Sequence, residues 1–389
     1  MEIPWTALSA PLITPWIALL LVVSRWALLL RPLRNQARGD GPLEPSPLPH
    51  TSEDASTIII VAARNEAERI GPCLEALRQQ THDALEVMVV DDHSEDDTAA
   101  MVSRAMHHDP RLRLFRMPDV SAEPDSRARN GKARALAAGI RASQADIILT
   151  TDADCRPPPG WARAMSRCLA HPRGVDALGG VTYLDPPDRI SLQAMDWRFF
   201  FTLIAGVSRL GRALTMMGNN MGFRRDAYAR AGGFDAVEGS VTEDHALLAH
   251  MHRDPSTRSA LSLEGRFKNI SLPEASLWKA FLQRRRWARG AVRDRPIEVI
   301  PGLLVLWIVH ALVVSILMVD PLIAVLLLWS FALVDLAVMH QGARLAGEVV
   351  RLGLWDVLRF ECYLMGYTLL LPISLILRWK LVWKGRVYG

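Results

Sequence analysis

The chain has 389 residues, half of them hydrophobic and 22% charged, with a formal net charge of +4; this allows one large domain or two smaller ones. No basic stripe with interleaved aromatics crosses its middle, which excludes a nucleic-acid partner. The scattered Cys73, Cys155, Cys168 and Cys362 exclude a disulfide framework and a structural zinc site.

In chain order, Leu8 to Leu30 is an apolar run long enough to cross a bilayer. It lacks a basic leader and a small-residue cleavage site, and Arg31, Arg34 and Arg38 follow it, so residues 1–38 read as an uncleaved anchor. Residues 39–55, rich in Pro, Ser and acidic side chains, read as a linker. Residues 56–295 then form an α/β domain with a mostly parallel sheet. Ile58–Ala62, Val87–Val90 and Ile147–Leu149 are short apolar runs of strands buried on both faces, and Arg111–Arg116 alternates like a half-buried strand. Helix-like segments Glu66–Gln80, Asp97–Met106 and Lys132–Ala142 lie between them. Ile190–Leu210 reads as an amphipathic helix lying in a membrane surface.

Residues 296–389 form a second membrane region. Leu303–Val319 and Pro321–Met339 are separated by Asp320-Pro321, a tight hairpin. With the α/β domain in the cytoplasm, a third full span would carry the basic C-terminus outside. Cys362–Leu377, which contains Pro372, is therefore expected to be re-entrant or interfacial. The arginines from Arg284 to Arg295 suit a membrane-surface anchor.

Each buried strand is followed by candidate chemistry, where open α/β sheets bind ligands. The first leads to Ala63-Arg64-Asn65-Glu66, the second to Asp91-Asp92-His93-Ser94, the third to Thr151-Asp152-Ala153-Asp154. Asp152 and Asp154 are hard oxygen donors suited to Mg²⁺ or Mn²⁺ bridging a diphosphate. Asp91-Asp92 with Ser94 suits an Asx turn equally well. Lys132, opening a helix, sits where an anionic ligand would explain a lysine. Later come Val241-Thr242-Glu243-Asp244, with Asp244 a candidate base, and Gln283-Arg284-Arg285-Arg286-Trp287, which offers a cation and an apolar platform.

In this order the motifs resemble the family 2 glycosyltransferases of the GT-A fold, from about Thr57 to Trp287. They are similar to the membrane branch that includes cellulose, hyaluronan and ceramide-glucosyl synthases. The resemblance implies that Glu66, Asp91, Asp92 and Lys132 contact the nucleoside part of the donor or lie beside it. It implies that Asp152 approaches the diphosphate, that Asp154 is the principal metal ligand, and that Asp244 is the base of an inverting displacement. Gln283, Arg286 and Trp287 would close over the diphosphate and acceptor. Gly218-Asn219-Asn220 with Phe223-Arg224-Arg225 would line the acceptor side. His93 stands where the family often has Gly. The implied reaction moves a sugar, UDP-hexose being the implied donor, to a lipid or other membrane-bound acceptor at the cytoplasmic membrane face. The alternative is a processive polysaccharide synthase, against which the small number of C-terminal apolar segments argues.

Overall fold

The structure, a computed structural model, describes residues 54–118, 131–172, 174–185, 191–208, 212–237, 239–349, 351–377, 381–383 and 386–388. The expected anchor at 1–38 and all but the end of the expected linker lie outside the described residues.

Strands β1 (Thr57–Ala63), β2 (Leu85–Asp91), β3 (Leu112–Arg116) and β4 (Ile147–Asp152) are parallel, in the order β3-β2-β1-β4. Beyond β4 the sheet continues β7-β5-β8, where β5 is Ala177–Gly180, β7 is Met221–Arg224 and β8 is Ser259–Ser262. Only β7 runs against its neighbours. A small parallel pair joins β6 (Thr182–Leu184) to β9 (Asn269–Ser271).

Side chains alternate across a strand, so β1 feeds two cores at once. Ile58 and Ile60 point into the core built by α3 (Gly131–Arg141), α5 (Leu192–Ser208) and α7 (Glu243–Met251). Ile59 and Val61 enter the opposite core, under α1 (Ile70–Arg78), α2 (Thr98–Met106) and α4 (Trp161–Ala170). The expected α/β sheet is present. The strands beyond β4 carry no apolar run: Ala-Leu-Gly-Gly and Ser-Ala-Leu-Ser are held by their neighbours, not by their own pattern.

The short α6 (Arg225–Arg230) follows β7, and α8 (Leu277–Asp294) leads to α9 (Pro296–Val319) and α10 (Pro321–Leu345). The last two contain 18-residue stretches of mean hydropathy 2.6 and 2.5 and are long and apolar enough to cross a membrane. Asp320 Oδ1 accepts from the Ile323 amide at 3.1 Å and Pro321 opens α10, the sharp restart read from the sequence. A hairpin of β10 (Leu381–Trp383) and β11 (Arg386–Tyr388) follows.

Two expectations are corrected. Of the two alternatives for the Pro372 segment, the re-entrant one is corrected and the interfacial one is left standing: α11 (Leu354–Ile376) is a continuous helix of 23 residues, and its Val357, Phe360 and Leu364 pack on Val334 and Val338 of α10. Nor does α5 lie in a surface. Its Trp197 and Phe201 enter the sheet core, while its Met195 and Phe199 enter the core shared with α10 and α11. Its Arg198 is 5% exposed, pairs with Glu348 at 3.3 Å and lies over the Tyr183 ring at 4.6 Å. The helix packs on two cores, and its polar Asp196 and Arg198 are buried with ion-pair partners.

Candidate active site

The strand order reverses at β1, between β2 and β4, and a crevice opens beyond their carboxyl ends. The register there sets Ala62 level with Asp152 and Ala63 level with Asp91. A cleft of about 210 Å³ occupies the crevice, and every predicted donor, metal and base residue lines it except Asp91.

Asp91 is 6% exposed and its Oδ1 accepts from the Ser94 amide at 3.3 Å. It holds a turn beside Asp92, which lines the cleft. In that turn His93 has φ 59°, a conformation that favours glycine. The neighbouring loop is stitched to it. Asn65, at φ 53°, accepts from the Glu95 amide at 2.8 Å, and its own amide donates to Ser94 Oγ at 3.0 Å. The Glu66 amide donates to Thr98 Oγ1 at 2.8 Å, which brings Glu66 to the cleft wall.

At the centre, Lys132 Nζ lies 2.6 Å from Asp152 Oδ1 and 3.2 Å from Glu243 Oε1. Burial alone would depress this ammonium, but the Asp152 and Glu243 carboxylates hold it above the ordinary lysine range. Lys132 thus ties β4 to α7 while still lining the cleft. Glu243, which the sequence reading left without a role, is 4% exposed and completes that tie. Its one signal was its place in Thr242-Glu243-Asp244.

Asp154 has no arginine or lysine ion-pair partner among the described residues; its Oδ2 accepts from Ser271 Oγ at 3.4 Å. Burial, then the Asp152 charge, pushes its carboxyl up to about 6, with Arg69 at the rim pulling the other way. Among the described residues no three His, Cys, Asp or Glu side chains converge as a metal set. Two carboxylates completed by substrate phosphates are, however, a usual way to hold Mg²⁺. The uncompensated Asp154 beside Asp152 fits that arrangement.

Asp244 enters from the helical side, in the first turn of α7. Its Oδ2 accepts from the Gly218 amide at 2.6 Å and its Oδ1 from the His245 amide at 2.8 Å. An added Cβ at Gly218 would sit 3.3 Å from both Asp244 Oδ2 and Lys132 Nζ, a tight fit that either side chain would have to yield to by a few tenths of an ångström. Burial, then the Glu243 charge, raises the Asp244 carboxyl, against the pull of Lys132.

Helix α8 closes the cleft. Gln283 donates to Glu274 Oε1 at 2.9 Å, and Arg286 donates to the Val241 carbonyl at 2.9 Å, one residue ahead of Thr242. The helix comes so close that a Cβ on Gly290 would fall 1.9 Å from Thr242 Oγ1. Trp287 stands edge-on to Trp197, ring centroids 5.5 Å apart. Arg284 and Arg285, expected at a membrane surface, are 4% and 1% exposed. Arg284 pairs with Asp196 at 2.8 Å, and its guanidinium lies 4.4 Å from the Trp287 ring, 4.7 Å from Phe200 and 5.3 Å from Trp197.

The expected acceptor-side segment divides. Gly218 and Asn219 line the cleft. Asn220 is fully buried; its side chain donates to the Val181 and Phe267 carbonyls and accepts from Trp161 Nε1. Arg224 pairs in register with Ile147 at the start of β4, and Arg225 donates to the Ile140 carbonyl at 3.2 Å. Both therefore sit at the opposite end of the strands from Asp152.

In fold the chain is similar to a mannosyltransferase from Pyrobaculum calidifontis, solved in complex with GDP-Man and Mn²⁺. The TM-score is 0.59 at 22% identity, over 93% of this chain and 99% of that one. In sequence it is similar to an N-acetylglucosaminyltransferase of Rhizobium meliloti, 25% identical over 296 residues, which are 71% of this chain and 64% of the relative. A beta-monoglucosyldiacylglycerol synthase of Synechocystis is 27% identical over 257 residues, 62% of this chain and 50% of the relative. The chain thus spans between half and two thirds of the length of these curated relatives. The description "Glycosyl transferase family 2" matches residues 58–232, and "Glycosyl transferase family group 2" matches residues 147–377, more than half of the chain. With a GT-A-like sheet, a carboxylate-lined cleft at its switch point and that match, this chain belongs to glycosyl transferase family group 2.

Proposed function

We propose that the chain transfers a sugar from a nucleoside-diphosphate sugar to the hydroxyl of a membrane lipid, with inversion at the anomeric carbon. The observation that carries this reading is one cleft with Asp152 and Asp154 on its sheet side, Asp244 on its helical side, and Lys132 tying the two. Asp154 with Asp152 would hold Mg²⁺ or Mn²⁺ together with the donor diphosphate; when bound, that ion offsets the charge of the leaving group. Asp244 takes the proton of the acceptor hydroxyl as its oxygen bonds to the anomeric carbon. The bond from that carbon to the diphosphate breaks, and the nucleoside diphosphate leaves with the electron pair. Arg286 meets the negative charge that develops, and Trp287 gives the sugar ring an apolar wall that keeps water away.

The membrane side of the reading rests on α9 and α10, with the α/β domain on the cytoplasmic face. The glucosyldiacylglycerol synthase among the relatives supports a lipid acceptor. The test is release of nucleoside diphosphate from UDP- and GDP-hexoses by the detergent-solubilised chain with Mn²⁺. Release that stops with EDTA and in Asp154→Asn supports the assignment. Release unchanged in Asp154→Asn, or none with any nucleotide sugar, sinks it.

A further inference from the structure

A second groove, of about 920 Å³, lies between the carboxyl end of α7, the Arg212–Leu214 segment and the junction of α8 with α9. Its charged lining is four arginines, Arg212, Arg253, Arg293 and Arg295, against Asp294 and Glu298. Glu298 accepts from the buried Arg295 at 2.9 Å, and Asp294, which accepts from Ser240 Oγ at 3.0 Å, keeps its charge, so three arginines face one carboxylate. Arg212, Arg253 and Arg293 are exposed. Arg212 donates to the His252 and Pro255 carbonyls at 2.7 and 3.0 Å, and Arg293 donates to the Gly239 carbonyl at 2.7 Å. Bonds to neutral carbonyls fix these guanidinium groups at the groove without cancelling their charge.

The groove's place relative to α9 decides what fills it. This helix has 24 residues, roughly 36 Å at 1.5 Å per residue, against a hydrocarbon core of about 30 Å. Its first turn therefore stands at headgroup depth once the helix spans. That turn supplies Pro296, Ile297 and Glu298 to the groove, and Ile297 is 87% exposed. A phosphate-binding cation cluster beside an exposed aliphatic side chain matches a lipid at the boundary between headgroup and acyl chain. Arg212 and Arg253 come from parts of the chain far from the apolar runs, so flanking charge alone does not account for the cluster.

We infer that this groove binds the headgroup of an anionic phospholipid and seats the α/β domain against the bilayer. The inference rests on α9 crossing the membrane, which carbonate extraction of the full chain tests separately: release into the soluble fraction removes that reading itself. For a chain that stays in the membrane, the thermal unfolding midpoint is compared in nanodiscs of phosphatidylcholine alone and of phosphatidylcholine doped with phosphatidylglycerol. The anionic lipid should raise the midpoint by roughly 3 °C, as binding to the native state does. Arg253→Ser with Arg293→Ser should abolish that rise while leaving the midpoint in phosphatidylcholine unchanged. Arg253→Ser alone, at an exposed side chain, covers the case in which the double variant does not fold. A rise that survives both variants overturns the site. A rise reproduced by millimolar inorganic phosphate in phosphatidylcholine discs overturns the lipid assignment.

Discussion

The two walls of the cleft are built by different means. The sheet wall, with Glu66, Asp92, Asp152 and Asp154, is set by strand ends in register and by short loops bonded to each other. The helical wall, with Asp244, Gln283, Arg286 and Trp287, depends on α7, α8 and α5 meeting, and α5 is itself packed on α10 and α11. The first wall is local and belongs to the α/β domain alone. The second reaches into the apolar C-terminal helices, so Asp244, Gln283, Arg286 and Trp287 are mechanically joined to them while the sheet-wall carboxylates are not. Substitutions on the two walls should therefore fail in different ways.

The largest effect belongs to the helical wall. Asp244→Asn should lower kcat for transfer by roughly 10²–10⁴-fold, the usual contribution of a positioned base, with donor affinity by calorimetry unchanged. A variant within tenfold of wild type would remove Asp244 from the chemistry. On the sheet wall, Asp154→Asn should cost about 10²–10³-fold in turnover, together with the Mn²⁺ dependence of donor binding. If donor binding still responds to Mn²⁺ in that variant, the ion is held elsewhere.

A pH profile joins the two walls through Lys132. Burial, then the Glu243 charge, brings the Asp244 carboxyl up to about 6, and a base must be deprotonated to act. The acid limb of kcat/KM should therefore fall about tenfold per pH unit below that value. Lys132→Met removes the cation that pulls Asp244 down, so the limb should move to higher pH. A limb that stays in place would mean that another group controls it.

The mildest expected change in catalysis comes from Arg284→Met. It leaves Asp196 buried without its partner at 2.8 Å, which should destabilise the chain by roughly 3–5 kcal/mol. It also frees Trp287, so KM for the acceptor should rise severalfold while slow hydrolysis of the donor persists. Equal loss of both activities would mean that Arg284 serves stability alone.

The sheet wall was legible in the sequence because each strand was an apolar run ending in polar residues, and the strand register did the rest. Asp91 and Asp92 could not be told apart in the sequence. As the last residue of β2, Asp91 belongs to the turn, and Asp92 faces the cleft. The helical wall was legible as motifs but not as geometry. Nothing in the arginine run distinguishes Arg284, which pairs with Asp196 across to α5, from the exposed Arg293. Aromatic content made α5 resemble a surface helix, because its second apolar neighbour, α10 with α11, lies more than a hundred residues away in sequence. Phe223-Arg224-Arg225 failed for a related reason: β7 runs antiparallel to β4 and carries the arginines to the opposite end of the strands.

The most direct test of the account is mass spectrometry of membrane lipids from cells expressing the wild-type chain or Asp244→Asn at equal levels. Transfer to a lipid predicts a hexose-sized mass increase on one lipid class, present with the wild type and absent with the variant. The same increase in the variant, or a sugar polymer with no change in any lipid, would contradict it.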